Sequence, residues 1–139
     1  MATRDESWRP MTNREHFLSV VDRICKRPGM FTGGESLRGV VNFLDGLDQG
    51  LALATGSKPL RHMDWIRWVE GEFAQGMGGQ QWADFMIERL GSDKEVLDCL
   101  PHLYRQFFAD LDAMGESGIH DRASQRILAK QSERDPGEP

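Results

Sequence analysis

Histidines, cysteines and carboxylates are the side chains of this chain that could do acid–base, metal or thiol chemistry, and their spacing decides which. His16, His62, His102 and His120 form no HExxH, no HxH and no Glu-x-x-His repeat, so no metal centre is expected. Cys25 and Cys99 belong to no CxxC pair and fall on apolar helical faces, which points to reduced, buried thiols. A GxSxG elbow is absent, and Gly33-Gly34 lacks both the GxxxxGK[ST] pattern and a preceding strand, so it reads as a loop rather than a phosphate cradle. His62 falls on the inner side of its helix near Ile66 and Val69, where a general base is conceivable, but it reads as a core histidine bonded to a backbone carbonyl. Asp98 and His102 are one turn apart, with Pro101 between them disturbing the geometry. No catalytic residue is assigned, no cofactor is implied, and the chain reads as something other than an enzyme.

Charged residues inside apolar stripes are more informative. On a wheel of about 100° per residue, Asp48 lands within the arc of Leu37, Val41, Leu44 and Leu51, and Arg89 within that of Trp82, Phe85 and Met86. The expectation is a buried Asp48–Arg89 pair, with Arg27 as the rival partner for Asp48. Breaking it would leave an uncompensated charge costing roughly several kcal/mol. The alternative is that Asp48 and Arg89 line a pocket for a small ligand. Asp45, Glu70 and Glu72 read as outer-face acids which, grouped in space, would receive a basic partner.

The elements that must position these groups are helices. Thr12-Asn13-Arg14-Glu15 has capping-box spacing and opens a stripe of Phe17, Leu18, Val21, Ile24 and Cys25, which Pro28-Gly29 stops. Thr32-Gly33-Gly34-Glu35 repeats the cap spacing before Leu37, Val40, Val41, Leu44, Leu47 and Leu51. A third helix, starting at Lys58-Pro59 or Asp64, carries Trp65, Ile66, Val69 and Phe73 and ends at Gly76, Gly78 and Gly79; a fourth carries Trp82, Phe85, Met86 and Leu90 and closes at Gly91. Ser92-Asp93-Lys94-Glu95 leads into the strongest run, Val96 to Leu111, where Pro101 predicts a split or sharp kink near Cys99 and Leu100. Beyond Gly115, Ile119, Ala123 and Ile127 could line only a weak helix, and the closing SERDPGEP is expected to be disordered.

Together these predict an all-α fold, a compact bundle of five or six helices with disordered termini. Its expected organisation is a flexible N-terminus over 1–11, a single helical domain over 12–115 and a weakly helical to disordered tail over 116–139. A length of 139 residues suits one domain, and 39% hydrophobic with 28% charged residues is the balance of a water-soluble globule. A net charge of −5 argues against a sequence-independent nucleic-acid binder. No run is apolar enough for a membrane span, and MATRDESWRP is unlike a secretory signal, so a cytoplasmic location is expected.

Arg27-Pro28-Gly29-Met30-Phe31, then Phe43-Leu44-Asp45-Gly46, Trp68, Trp82 and Phe107-Phe108, resemble the recurring text of a diffuse family of small uncharacterised bacterial proteins. That text looks like RPGMY, a helix ending in FLxGY, a DWxxW-like segment and an FFxLLDE-like helix. The likeness spans Glu15 to Asp112, with Phe31 and Leu47 standing where tyrosines are usual. Some members resemble immunity proteins that neutralise a cognate toxin. The resemblance implies a protein-binding module whose partner is another protein, a toxin being the implied kind; the Arg27–Phe31 turn itself is expected to pack on the bundle by Met30 and Phe31. The alternative is a small-ligand regulatory or sensor protein without catalysis.

Overall fold

The computed structural model describes residues 10–34 and 36–134. Among them six helices and no strand form the predicted all-α bundle: α1 (Asn13–Lys26), α2 (Pro28–Thr32), α3 (Leu37–Thr55), α4 (His62–Phe73), α5 (Trp82–Leu90) and α6 (Asp93–Arg134). No helix among the described residues is long and apolar enough to cross a membrane.

The α1 start follows the sequence. The Thr12 hydroxyl accepts the Glu15 N–H at 3.1 Å while the Glu15 carboxylate accepts the Thr12 N–H at 2.9 Å, satisfying two donors that the first turn leaves orphaned. Phe17, Val21 and Ile24 then go fully into the core. α3 begins later than the Thr32 pattern suggests. Its cap is Ser36, whose Oγ accepts the Gly39 N–H at 3.1 Å, and Asp93 from the start of α6 takes the Leu37 N–H at 2.8 Å. Glu35, the other half of the expected box, lies outside the described residues. Thr32 instead closes α2, with Gly33 at φ 74° as its cap.

Stacked rings fill the centre. Trp65 of α4 lies on Tyr104 of α6 with centroids 4.2 Å apart, and Trp68 stacks on Trp65 at 5.5 Å. Phe17 and Trp82 meet this column edge-on from α1 and α5. Such offset and edge contacts match the positive rims of the rings to their negative faces.

Two expectations about α6 are corrected. The backbone stays helical through Pro101, and Gly115 is the interior residue that breaks it, at φ 73° and ψ 175°. Proline in a helix costs about 3 kcal/mol, but Leu97, Leu100, Tyr104 and Phe107 on either side are pinned in the core and keep the helix from splitting there. Nor does order fade after Gly115: the chain is helical to Arg134, with Ile119 and Ala123 buried. Gly71 makes this possible. A Cβ there would sit 3.2 Å from Ala123 Cα, so the missing side chain lets α4 and the far half of α6 touch. The expected disordered segment is thus helical over 132–134, and its remainder, 135–139, lies outside the described residues, as do residues 1–9.

The Arg27–Phe31 segment also differs from its expected role. It is a short helix anchored by buried Pro28 at its first position, and it holds Met30 outward at 75% exposure rather than packing it on the bundle.

Candidate functional site

A groove runs beside α3, walled on its other side by the chain leading into α4 and α5. It consists of three adjoining recesses. The first, roughly 330 Å3, lies by Arg38, Asn42 and Asp84. The second, roughly 400 Å3, shares Arg38, Asn42 and Gln81 with it and extends to Asp45 and His62. The third, roughly 210 Å3, is lined by Asp45, Asp48, Gln49, Lys58, Leu60 and His62. α3 supplies one wall because Arg38, Asn42, Asp45 and Gln49 repeat at helical spacing along a flank beside its buried stripe.

Three residues singled out from sequence therefore converge: Asp45, Asp48 and His62. Asp48 is buried as expected, at 8% exposure, but its partner is different. Its Oδ1 accepts the Leu60 N–H at 3.0 Å, and Lys58 Nζ stands 4.0 Å from Oδ2. Asp45 is exposed at the rim. Partial burial pushes its carboxyl above the ordinary 3.8, with His62 opposing, Asp48 adding to the rise and Lys58 opposing again.

The Asp48–Arg89 pair does not form. Arg89 lies over the Phe85 ring at 3.6 Å and donates to Phe85 O at 3.0 Å and to Glu88 at 3.3 Å. Phe85, one turn back on the same helix, offers both a π face and a carbonyl, so Arg89 is satisfied locally apart from a buried Nε without a hydrogen-bond partner among the described residues. Arg27 is exposed; its backbone caps α1 and opens α2, and it does not reach Asp48 either.

Glu70 and Glu72 do not join Asp45. Glu70 accepts from Arg67 at 2.8 Å and from the Met77 N–H at 2.8 Å, which ties down the loop after α4. Glu72 accepts from Arg126 at 2.7 Å and has Arg122 at 3.9 Å, both from the far half of α6. The two carboxylates that were expected on a free surface are engaged within the fold.

Sequence reading passed over one constellation. Asp64, 4% exposed on α4, has its Oδ1 2.9 Å from His120 Nε2 on the far half of α6. Arg61 Nε stands 3.7 Å from Asp64 Oδ2, an atom without a hydrogen-bond partner among the described residues, and Arg61 also pairs with Glu116. Arg67 adds bonds to His120 O at 3.0 Å and Ser124 Oγ at 2.6 Å. These contacts fasten residues past Gly115 to α4. The available signal was Asp64 standing one turn before Trp68 and two before Gly71, on a buried stripe.

The remaining histidines make no such arrangement. His16 and His102 are exposed, and Asp98 pairs with Lys94 at 3.1 Å rather than with His102. Both cysteines are free and half-buried; burial, with Asp22 and Cys99 nearby, pushes the Cys25 thiol up to about 12, which keeps it protonated and unreactive. Among the described residues no group of three or more His, Cys, Asp and Glu side chains is arranged to hold a metal.

No family model, no curated protein and no solved structure matches this chain.

Proposed function

We propose that the protein is a non-catalytic binding module that docks on another protein and blocks it, in the manner of an immunity protein facing a cognate bacterial toxin. The observation that carries this reading is the apolar display built by α2 against α3. Met30 is 75% exposed and Phe31 37%, and Phe31 meets Phe43 of α3 edge-on at 5.6 Å, with Phe43 itself 38% exposed. Buried Pro28 and the left-handed cap at Gly33 fix this helix at both ends, so the backbone that carries Met30 and Phe31 is set beside Phe43 before any partner arrives. Methionine and phenylalanine are enriched in interface cores, and burying each fully is worth about 1.5–3 kcal/mol. Presenting them on ordered backbone lowers the entropy that docking must overcome. The ligand-pocket alternative rested on an Asp48–Arg89 pair that is not formed.

The test is affinity capture from a lysate of the native cell, comparing wild type, Met30→Asp/Phe31→Ser and the control Leu53→Ser, which alters an exposed leucine elsewhere. One stoichiometric partner should be retained by wild type and control and lost by the double variant, with helical circular dichroism unchanged in all three. A partner held equally well by the double variant removes the α2 surface from the interface, and a wild type that retains nothing overturns the reading.

A further inference from the structure

We propose that the groove beside α3 binds an extended polypeptide segment of the partner, with a lysine or arginine side chain of that segment seated between Asp45 and Asp48. The proposal rests on the partner-binding reading and adds the chemistry of what is bound, on a different flank of α3. Asp45 stands about 160° around the helix from Phe43, so groove and apolar display are separate.

Length and lining both point to an extended chain. From Arg38 to Gln49 the groove follows α3 for about 16 Å at 1.5 Å per residue, which accommodates roughly five residues of extended backbone at about 3.3 Å each. Its walls carry carboxamides: Asn42 and Gln49 on α3, Gln80 and Gln81 before α5. None of the four side-chain amides makes a hydrogen bond among the described residues. Each offers two donors and an acceptor, which is what the alternating N–H and C=O groups of an unpaired strand require. A small cation alone would have no use for them.

The end recess sets the charge. Asp48 is nine-tenths buried, and among the described residues only its Oδ1 is hydrogen-bonded; Oδ2 has Lys58 at 4.0 Å and no described donor within bonding distance. Asp45 stands beside it, so two carboxylates flank a space of roughly 210 Å3 that admits one side chain. At the other end Arg38 is already opposed by Asp84 at 3.6 Å. Along the groove carboxylates outnumber cations, in keeping with the chain's net charge of −5. An ammonium or guanidinium would supply the donors that Asp48 Oδ2 and Asp45 lack, and would do so in a partly desolvated place where charge-assisted bonds are strong.

The experiment uses the full chain, nitrogen-15 labelled, titrated with the capped pentapeptide Gly-Ser-Arg-Ser-Gly, with Gly-Ser-Glu-Ser-Gly and with arginine amide. The expected result is saturable movement of the Asn42, Gln49, Gln80 and Gln81 side-chain resonances and of the backbone around Asp45 with the arginine pentapeptide, and none with the glutamate peptide. Asp45→Asn should weaken the binding about fivefold, and raising salt to about 0.5 M should weaken it further. Gln81→Ala, which leaves the acids intact, should weaken the pentapeptide but not arginine amide. Equal shifts from both pentapeptides, unmoved groove resonances, or arginine amide moving the recess as strongly as the pentapeptide would each overturn the proposal. A silent pentapeptide alongside a captured partner that the α2 variant loses sinks the groove assignment and leaves the partner-binding reading standing; a bound pentapeptide with no captured partner does the reverse.

Discussion

Replacing Asp48 with alanine strands the Leu60 backbone N–H, which is buried and, among the described residues, donates only to the Asp48 carboxylate at 3.0 Å. A hydrogen bond to a charged acceptor contributes about 1.5–3 kcal/mol net, and a buried donor left unmatched costs a similar amount. Against this, alanine relieves the desolvation of a carboxylate whose nearest cation is 4.0 Å away, so the expected loss is about 2 kcal/mol. Asp48→Asn keeps a carbonyl where Oδ1 sits and should lose less than about 1 kcal/mol. For a chain of this size the alanine variant should melt about 6–10 °C below wild type. Equilibrium urea unfolding followed by tryptophan fluorescence is the assay, since Trp65, Trp68 and Trp82 are all buried. An alanine variant as stable as wild type, or an asparagine variant as damaged as the alanine one, would refute the claim that the Leu60 bond is what Asp48 supplies. A double-mutant cycle with Arg89→Met should show coupling below about 0.5 kcal/mol; a larger value would reinstate the Asp48–Arg89 ion pair.

Gly115→Ala should cost about 1–3 kcal/mol, because φ 73° with ψ 175° is a region that essentially only glycine occupies. Apart from its chain neighbours and adjoining helix backbone nothing lies within 4 Å of the added Cβ, so the loss is one of backbone strain, and an unchanged urea midpoint would show that the α6 break does not persist in solution. The Asp45 carboxyl is raised above 3.8 in the folded chain, so its contribution to stability is present below 3.8 and is lost as pH rises through the higher folded value. Asp45→Asn should accordingly equal or exceed wild type in stability at pH 7, with the gap closing below about pH 4; thermal melts across that range would contradict this if the variant were the weaker one at neutral pH.

Helix positions were readable because burial in a helix repeats every three or four residues and capping chemistry is local. Thr12 with Glu15, the α3 stripe of Leu37, Val40 and Leu44, and the Gly91 stop are all fixed by neighbours a turn away. Pro101 misled because its cost is local while the compensation from Leu100, Tyr104 and Phe107 comes from other helices. The segment after Gly115 was underrated for a related reason. It has few large apolar groups, and its attachment relies on the bare backbone of Gly71, on Arg67, and on the Asp64–His120 contact. A missing side chain leaves no hydrophobic signal.

The attachment of this helix also decides what the acids near the candidate site do. Glu72 has no partner within its own helix, and its cations, Arg122 and Arg126, come from the helical segment 116–134. Glu70 differs, since one of its partners is the Met77 N–H. Asp48 is like Glu70, with the Leu60 N–H as donor. A periodic stripe can announce that a carboxylate is buried, because burial depends on its own helix. It cannot announce a backbone donor, because every residue except proline carries one and sequence gives it no mark. Charge pattern points only to charged side chains such as Arg89, which is already engaged by Phe85 one turn away. Where a buried acid has a following loop within reach, as Asp48 has in Lys58 to Leu60, a loop N–H is the stronger candidate: it brings no second charge to desolvate and leaves one carboxylate oxygen over for a ligand.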